Sequence, residues 1–187
     1  MSRGKLFVFS GASGVGKSTV LSKVMESRKD LRFSVSATTR APRPGETEAV
    51  SYYFVTKQQF EDMIAQDAFL EYDAHMDNYY GTPKAQLEEK LQNGSVILDV
   101  EPNGALSVKK KCPDAVLIFI APPSAEELER RLRGRGDTSE EQIALRQQRV
   151  RWEVAQSRFY DHVVVNDRVE TCVQEILDII RKNLEEN

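Results

Sequence analysis

Short apolar runs alternate with amphipathic stretches along most of the chain. Runs rich in Val, Ile, Leu and Phe predict strands at Leu6–Phe9, Phe33–Ser36, Val96–Val100, Val116–Ile120 and Val163–Val165. Three of these runs are almost wholly apolar, which is typical of parallel strands that are covered on both faces. Helical patterns lie between most of them, so the sequence predicts an α/β fold with a doubly wound parallel sheet. Ligands of such sheets bind at the carboxyl ends of the strands.

Several helices are marked by their first turns. Capping boxes, in which Ser or Thr is followed three residues later by Glu or Gln, occur at Thr56–Gln59, Ser124–Glu127 and Ser139–Gln142. The last predicted helix places its apolar side chains on one face: Val169, Val173, Ile176, Leu177, Ile180 and Leu184. We expect this helix to close the core.

Two stretches interrupt the alternation of strand and helix. Residues 37–83 are rich in turns, aromatic residues and short strand signals, which predicts a small inserted subdomain that carries a second substrate. Arginine alternates with glycine in Arg130–Asp137, which is typical of a mobile lid. The sequence therefore predicts one domain with a core at 1–36, 84–125 and 155–187, an insertion at 37–83 and a lid at 126–154.

Composition narrows the class of protein. A chain of 187 residues with 40% hydrophobic residues can bury one sizeable core. A net charge of −3 argues against a nucleic-acid partner, and the apolar runs are too short to span a membrane. No secretory signal precedes the first strand, and Cys112 and Cys172 form neither a disulfide framework nor a zinc motif. We expect a cytoplasmic protein that is a monomer or a small homo-oligomer.

A phosphate-binding loop follows the first predicted strand. The motif G-x-x-x-x-G-K-[ST] is complete, and it precedes a helical pattern, the context that supports it. The loop and the residue after it comprise Gly11, Ala12, Ser13, Gly14, Val15, Gly16, Lys17, Ser18 and Thr19. Backbone N–H groups would cradle the phosphates, Lys17 would reach the β- and γ-phosphates, and the Ser18 hydroxyl would ligate Mg²⁺. A glycine-rich turn without a ligand is the alternative.

Arginines cluster in the segments that do not fit the alternation. Phosphoryl transfer needs cations that neutralise the charge on the transferred group. Arg40 and Arg43 flank Pro42, so we expect both guanidinium groups to face one acceptor phosphate, although a solvated surface is the alternative. Arg131 and Arg135 lie in the predicted lid, and Arg146 lies on the next helix. Others, such as Arg149, are expected on solvated helix faces.

The chain resembles the guanylate kinase family at this point. The segment from Ser34 to Glu46 is similar to the nucleotide-monophosphate signature of that family. Further landmarks follow in the family's order: Tyr52–Val55, Phe69–Tyr72, Asn78–Pro83, Ile97–Glu101, Ile120–Ser124, Gly134–Gly136 and Val165–Asp167. The resemblance covers nearly the whole chain, from Leu6 to the closing helix.

The resemblance implies transfer of the γ-phosphoryl group of ATP to GMP, and also to dGMP, in purine nucleotide metabolism. By this resemblance the GMP phosphate would be held by Ser36, Arg40, Arg43, Tyr52 and Tyr80. Glu71 and Thr82 would read guanine, with Glu101 nearby. The chemistry agrees, because a carboxylate can accept from the paired N1–H and N2–H donors of guanine, and a hydroxyl can donate to O6. Adenine lacks those paired donors.

The remaining roles are implied in the same way. Asp99 would organise Mg²⁺ through water and contribute to the GMP site, although it could instead cap the next helix. Asn166 and Asp167 would lie beside the adenine of ATP, although Asp167 could cap the last helix. Arg131 would contact ATP, and the catalytic cations would be Lys17, Arg43, Arg135 and Arg146.

The chain departs from the family pattern at four places. Glu101-Pro102-Asn103-Gly104 replaces a motif that begins with Asp, and Ala49-Val50-Ser51 replaces a motif with Gly and Asp. Met76-Asp77 replaces a smaller pair, and Ala37 replaces a His. A catalytically silent module that binds protein and a kinase of phosphorylated sugars are the alternatives. The intact loop argues against the first, and Glu71, Tyr80 and Thr82 argue against the second.

Overall fold

The computed structural model describes residues 3–75, 77–124, 127 and 140–185. Its strands are β1 (Leu6–Gly11), β2 (Arg32–Phe33), β3 (Ala37–Thr38), β4 (Tyr53–Phe54), β5 (Phe69–His75), β6 (Asn78–Pro83), β7 (Val96–Asp99), β8 (Val116–Ala121) and β9 (His162–Val165). Its helices are α1 (Lys17–Ser27), α2 (Lys57–Ala65), α3 (Lys84–Gln92), α4 (Pro102–Lys111), α5 (Glu140–Gln156) and α6 (Val169–Glu185), with a 3₁₀ turn at Ser157–Phe159.

The larger sheet is parallel and confirms the predicted class. Its strand order is β2-β7-β1-β8-β9, so the first strand lies in the centre. The predicted strands are all present, but β2 is displaced from the predicted Phe33–Ser36. After the Ser34 N–H bonds the carbonyl of Ile97, the chain leaves this sheet, and the carbonyl of Ser36 accepts from Tyr53 N–H in the smaller one.

Strand alternation divides the core between the two faces of this sheet. Phe7 and Phe9 point into one apolar cluster together with side chains of α1 and α6. Leu6 and Val8 point into the other, against α3 and α4. The closing helix behaves as predicted, since Val173, Ile176 and Ile180 are buried. The sheet is therefore covered on both faces, as the apolar runs predict.

A smaller mixed sheet forms within residues 37–83. Its order is β4-β3-β6-β5, with β3 parallel to β4 and antiparallel to β6. The ring of Phe60 stacks on Phe69 and Tyr79, with centroids 4.3 and 5.2 Å away. The predicted capping box opens α2, because Thr56 Oγ1 accepts from Gln59 N–H and the Gln59 side chain accepts from Thr56 N–H. This sheet thus has a small aromatic core of its own.

No helix among the described residues is long and apolar enough to cross a membrane.

The aromatic core of the small sheet leads to a prediction about the free energy of unfolding. Phe60 is fully buried, so Phe60→Ala should lower the free energy of unfolding by about 3–5 kcal/mol. Val50, in the same segment, is 69% exposed, and Val50→Ala should change it by less than about 0.5 kcal/mol. Urea unfolding of both variants measures the difference, and equal values for the two would contradict the packing described.

Candidate active site

The loop between β1 and α1 is shaped to leave backbone donors free. Gly14 and Gly16 have φ of 82° and 91°, the left-handed region in which glycine is unstrained. The loop is held from outside, because Ala12 N–H donates to the carbonyl of Ile120 and Asn166 Nδ2 donates to that of Val15, at 2.7 Å. Helix α1 has no side-chain cap, and the N–H groups of its first turn lack intrahelical acceptors. Such a helix start binds anions.

A partly buried ion pair joins this loop to the neighbouring strand. Phe9 of β1 lies opposite Asp99 at the end of β7, and Lys17 Nζ donates to Asp99 Oδ1. Burial acts to lower the pKa of Lys17, but the charge and hydrogen bond of Asp99 outweigh it, and the pKa is raised. Helix α4 begins after Glu101, so Asp99 lies too early in the chain to be its N-cap residue. The alternative that Asp99 caps this helix is therefore wrong.

A cleft of about 260 Å³ opens between the two sheets beside this pair. Residues predicted for the site line it from both sides: Lys17, Ser36, Tyr52, Glu71, Tyr80, Asp99 and Glu101. Asp73, Gly81, Val100 and Gly104 complete the lining. The fold thus brings the loop after β1, the end of β7 and the β5–β6 pair to one cavity.

A carboxylate lies buried in the wall of the cleft. Glu71 of β5 is directly opposite Thr82 of β6, and Thr82 Oγ1 donates to Glu71 Oε1 at 2.5 Å. Both residues are buried. Burial raises the pKa of Glu71 although the bond from Thr82 opposes the shift. A Cβ at Gly104 would lie 2.7 Å from Glu71 Oε2, so only glycine lets α4 approach the carboxylate this closely.

The two predicted phosphate-binding arginines do not converge on the cleft. Both terminal nitrogens of Arg40 donate to the Glu46 carboxylate, at 2.9 and 2.8 Å, and its guanidinium lies over the ring of Tyr52. The side chain of Arg43 is exposed, while its backbone N–H donates to Glu46. The pairing with Arg40 lowers the pKa of Glu46 to about 2. The structure therefore places Arg40 at the rim, held by Glu46, and Arg43 outside.

Oxygen ligands suited to a divalent cation meet on the other side of Lys17. Ser18 and Asp99 both line a second pocket beside α1. Over the described ranges, no three His, Cys, Asp or Glu side chains come close enough together to hold a metal ion. A hydroxyl and one carboxylate without a complete cage fit Mg²⁺ that arrives with phosphates, because Mg²⁺ keeps several waters and uses few protein ligands.

The remaining predicted residues differ in burial and in whether the structure describes them. Asn166 is buried at the end of β9 and bonds the loop through Val15, whereas Asp167 is exposed. Arg131 and Arg135, with most of the predicted lid at 126–154, lie outside the described residues. Arg146 belongs to α5, but its side chain is not among those described.

Sequence reasoning missed three charged residues of this region. Arg149 was expected on a solvated helix face, and its side chain is 38% exposed, but its Nε also donates to Glu153 and its Nη2 to Glu101. Glu153, 1% exposed, accepts from the backbone N–H of Ser13 in the loop. Asp73 lies two residues after Glu71, so strand alternation could have found it. Nothing in the sequence signals the contact between α5 and the loop.

The buried carboxylate gives the stability a dependence on pH. A raised pKa means that the folded state holds the proton of Glu71 more tightly than the unfolded state does. Stability from this group is therefore present at low pH and is lost as pH rises through the folded pKa. Glu71→Gln has no proton to lose at this position, so it should not show this loss of stability. The difference between its melting temperature and that of the unmodified chain should therefore shift in favour of the variant as pH rises from about 4 to about 8.

The exposed Glu61 on α2 offers a matched control for that titration. Glu61→Gln should give a nearly constant difference in melting temperature over the same range. Parallel curves for the two variants would show that Glu71 titrates as an ordinary carboxyl.

Comparison with known proteins places the whole chain in one family. A family model described as guanylate kinase matches residues 3–183. The guanylate kinases of Thermus thermophilus and Streptococcus pneumoniae are 50% and 48% identical over 95% of this chain, covering 81% and 86% of their own lengths. The crystal structure of guanylate kinase from Anaplasma phagocytophilum aligns with a TM-score of 0.78 and 32% identity, over 97% of this chain and 87% of that one. With its parallel sheet, phosphate-binding loop and separate mixed sheet, the chain belongs to the guanylate kinase family.

Proposed function

We propose that the cleft phosphorylates GMP, and also dGMP, by direct transfer from ATP held at the loop after β1. Guanylate kinases catalyse the ATP-dependent phosphorylation of GMP to GDP, and this chain is one of them. One observation carries the assignment of substrates within the cleft. The Lys17–Asp99 pair and the buried Glu71–Thr82 pair line or border the same cavity, one suited to phosphate and the other to a base.

Guanine fits the Glu71–Thr82 pair by its hydrogen-bonding pattern. An ionised Glu71 is an acceptor only, and guanine presents adjacent N1–H and N2–H donors. The Thr82 hydroxyl, which donates to Glu71 here, can turn to donate to O6 of the base. Adenine presents no such donor pair, so it would leave a buried carboxylate desolvated and unpaired, at a cost of about 1–3 kcal/mol or more. We place Glu101, on the same cleft, near the base.

The phosphate of GMP is assigned to the polar side chains around Tyr52. Ser36, Tyr52 and Tyr80 already line the cleft, and Arg40 lies against the Tyr52 ring. In this proposal Arg40 exchanges Glu46 for the phosphate, and Arg43 turns inward from the surface. Both changes are side-chain movements at the rim of the cleft, where the charged partner Glu46 is itself partly exposed.

ATP is assigned to the opposite side. Within the loop at 11–19, the N–H groups at the start of α1 hold its phosphates, Lys17 leaves Asp99 to meet the γ-phosphate, and Asn166 and Asp167 border the adenine. Arg131, Arg135 and Arg146 would approach from the lid, where Arg135 and Arg146 neutralise charge on the transferring group together with Lys17 and Arg43.

Mg²⁺ is the cation that we propose for the second pocket. Ser18 would hold it directly, and Asp99 would hold it through water. When bound, Mg²⁺ neutralises charge on the phosphates. Asp99 is then released from Lys17, so one carboxylate serves both cations.

Water must be excluded while the phosphoryl group is transferred. We propose that the insertion at 37–83 and the lid at 126–154 move against a core formed by 1–36, 84–125 and 155–187. The small sheet has its own aromatic core, which lets it move as a unit. Closure would bring Glu71 and its base toward the loop after β1 and remove the solvent between them.

Lys17 tests the assignment of the ATP site. Lys17→Ala should lower kcat by roughly three orders of magnitude because it removes a cation from the transferred phosphate. A coupled assay of ADP release measures this, and Lys29→Ala, on an exposed lysine beyond α1, should match the unmodified enzyme. Turnover at the unmodified rate in Lys17→Ala would exclude the loop from the reaction.

Glu71 tests the assignment of the base site. Glu71→Gln should lower kcat/KM for GMP by roughly a hundredfold, because the amide cannot accept from both donors, while KM for ATP changes little. The substrate panel is GMP, dGMP, AMP, UMP and CMP with Mg-ATP, and Glu61→Gln is the control. No GMP-dependent ADP release from the unmodified chain would instead favour a protein-binding module, and an unchanged kcat/KM in Glu71→Gln would remove Glu71 from the site.

A further inference from the structure

Helix α5 sends a buried carboxylate to the phosphate-binding loop. Glu153 is 1% exposed, and each of its oxygens has a partner. Oε2 accepts from the backbone N–H of Ser13 at 2.7 Å, and Oε1 accepts from Arg149 Nε at 2.8 Å. Arg149 Nη2 in turn donates to Glu101 Oε2 at 3.1 Å. A continuous chain of hydrogen bonds therefore links the loop after β1 to a residue that lines the cleft.

Among the hydrogen bonds described for this structure, the bond to Ser13 is one of three that hold the loop from outside. The carbonyl of Ile120 holds Ala12, and the Asn166 amide holds the carbonyl of Val15. Both of those come from the large sheet or its edge, whereas Glu153 comes from α5, the helix that also carries Arg146. The orientation of the Ser13 peptide decides where the next N–H groups of the loop point, so a partner for Ser13 N–H sets the shape of the phosphate cradle.

The charge of Glu153 would repel phosphate if it stood alone. A buried ionised carboxylate is tolerated when it is paired and hydrogen-bonded, and Arg149 supplies that pairing here. The Glu153–Arg149 pair therefore offers Ser13 a strong acceptor without adding net negative charge beside the loop. Arg149 remains able to reach Glu101 because its guanidinium presents several donors in one plane.

We propose that Glu153 is a positioning residue that orients the phosphate-binding loop for ATP, and that Arg149 extends this control to Glu101 in the GMP cleft. This inference rests on the proposed function, in which the loop holds ATP and the cleft holds GMP. In that function, Glu153 contacts neither ATP nor GMP. Its effect reaches the reaction through the Ser13 peptide, and that of Arg149 through the Glu101 carboxylate.

The test compares variants that break the chain of bonds at different points. Glu153→Ala removes the acceptor from Ser13, Glu153→Gln keeps an amide oxygen for it, and Arg149→Met leaves the Ser13 bond but breaks the link to Glu101. Arg151→Ala, on an exposed arginine of the same helix, is the matched control. Two readouts are taken: hydrogen exchange of the loop amides without nucleotide, and separate KM and kcat values for ATP and GMP.

We expect Glu153→Ala to speed exchange at Ser13 and to raise KM for ATP about tenfold, the loss typical of one hydrogen bond to a charged group. Glu153→Gln should restore most of the exchange protection and most of the KM. Arg149→Met should leave exchange at Ser13 close to that of the unmodified enzyme and should raise KM for GMP several-fold, because the link to Glu101 is lost. It should also raise KM for ATP, because Glu153 then lacks its cationic partner beside the phosphates. Arg151→Ala should change none of these values.

Other outcomes overturn the proposal. An unchanged or lower KM for ATP in Glu153→Ala would mean that the carboxylate does not shape the loop or competes with phosphate. Faster exchange throughout the chain, not confined to the loop, would mean a structural role only. If Glu153→Ala does not fold, Arg149→Met decides the matter, because unchanged KM values for both ATP and GMP in that variant would overturn the proposal. Exchange without nucleotide does not depend on activity, and GMP-dependent ADP release by the unmodified enzyme tests the proposed function separately.

Discussion

The lysine that we propose for the phosphates of ATP is largely shielded from solvent and therefore needs a negative partner, which the large sheet provides. Lys17 begins α1, directly after the loop that follows β1, and Asp99 ends β7, the strand beside β1. Because the two strands are parallel and adjacent, their carboxyl ends lie side by side and the ion pair forms across them. The pair keeps the ammonium charged at the point where we propose that phosphate and Mg²⁺ meet.

The same arrangement determines what surrounds the pair. Strand β8, on the other side of β1, supplies the carbonyl that holds Ala12, and Asn166 at the end of β9 holds the far side of the loop. These bonds leave the donors at the start of α1 available for an anion. Glu153 adds a constraint from α5. The order of the strands thus determines which groups can contact the loop. The shape of the loop in turn determines where the proposed phosphate site lies.

The recognition of the base that we propose depends on the cost of removing a carboxylate from water. The Glu71 carboxylate lies in the wall of the cleft, where burial raises its pKa and only Thr82 donates to Oε1 among the hydrogen bonds described. A ligand that supplies two adjacent donors compensates for the lost water, and one that supplies none does not. In this proposal, specificity for guanine follows as much from the penalty imposed on other bases as from the attraction of guanine.

Much of this could be predicted from the sequence because the signals are local. The phosphate-binding loop is a contiguous motif, and apolar runs with helices between them dictate a parallel sheet covered on both faces. Glu71 and Thr82 came from family resemblance, and strand alternation would have added Asp73. The contacts of Arg149 with Glu101 and of Glu153 with Ser13 could not be found in this way, because these partners lie 48 and 140 residues apart in the chain. The orientation of Arg40 was also missed, since the sequence does not show that Glu46 would compete with a phosphate for it.

The most direct test of this account is the ratio of GMP to AMP affinity measured by calorimetry as a function of pH. The phosphate is common to both nucleotides, so its titration largely cancels in the ratio and the base site remains. The account predicts that the ratio falls as pH is lowered toward and below the raised pKa of Glu71, because a protonated carboxyl cannot accept from both donors of guanine. A ratio that stays constant with pH, down to the usual range of a glutamate, would contradict it.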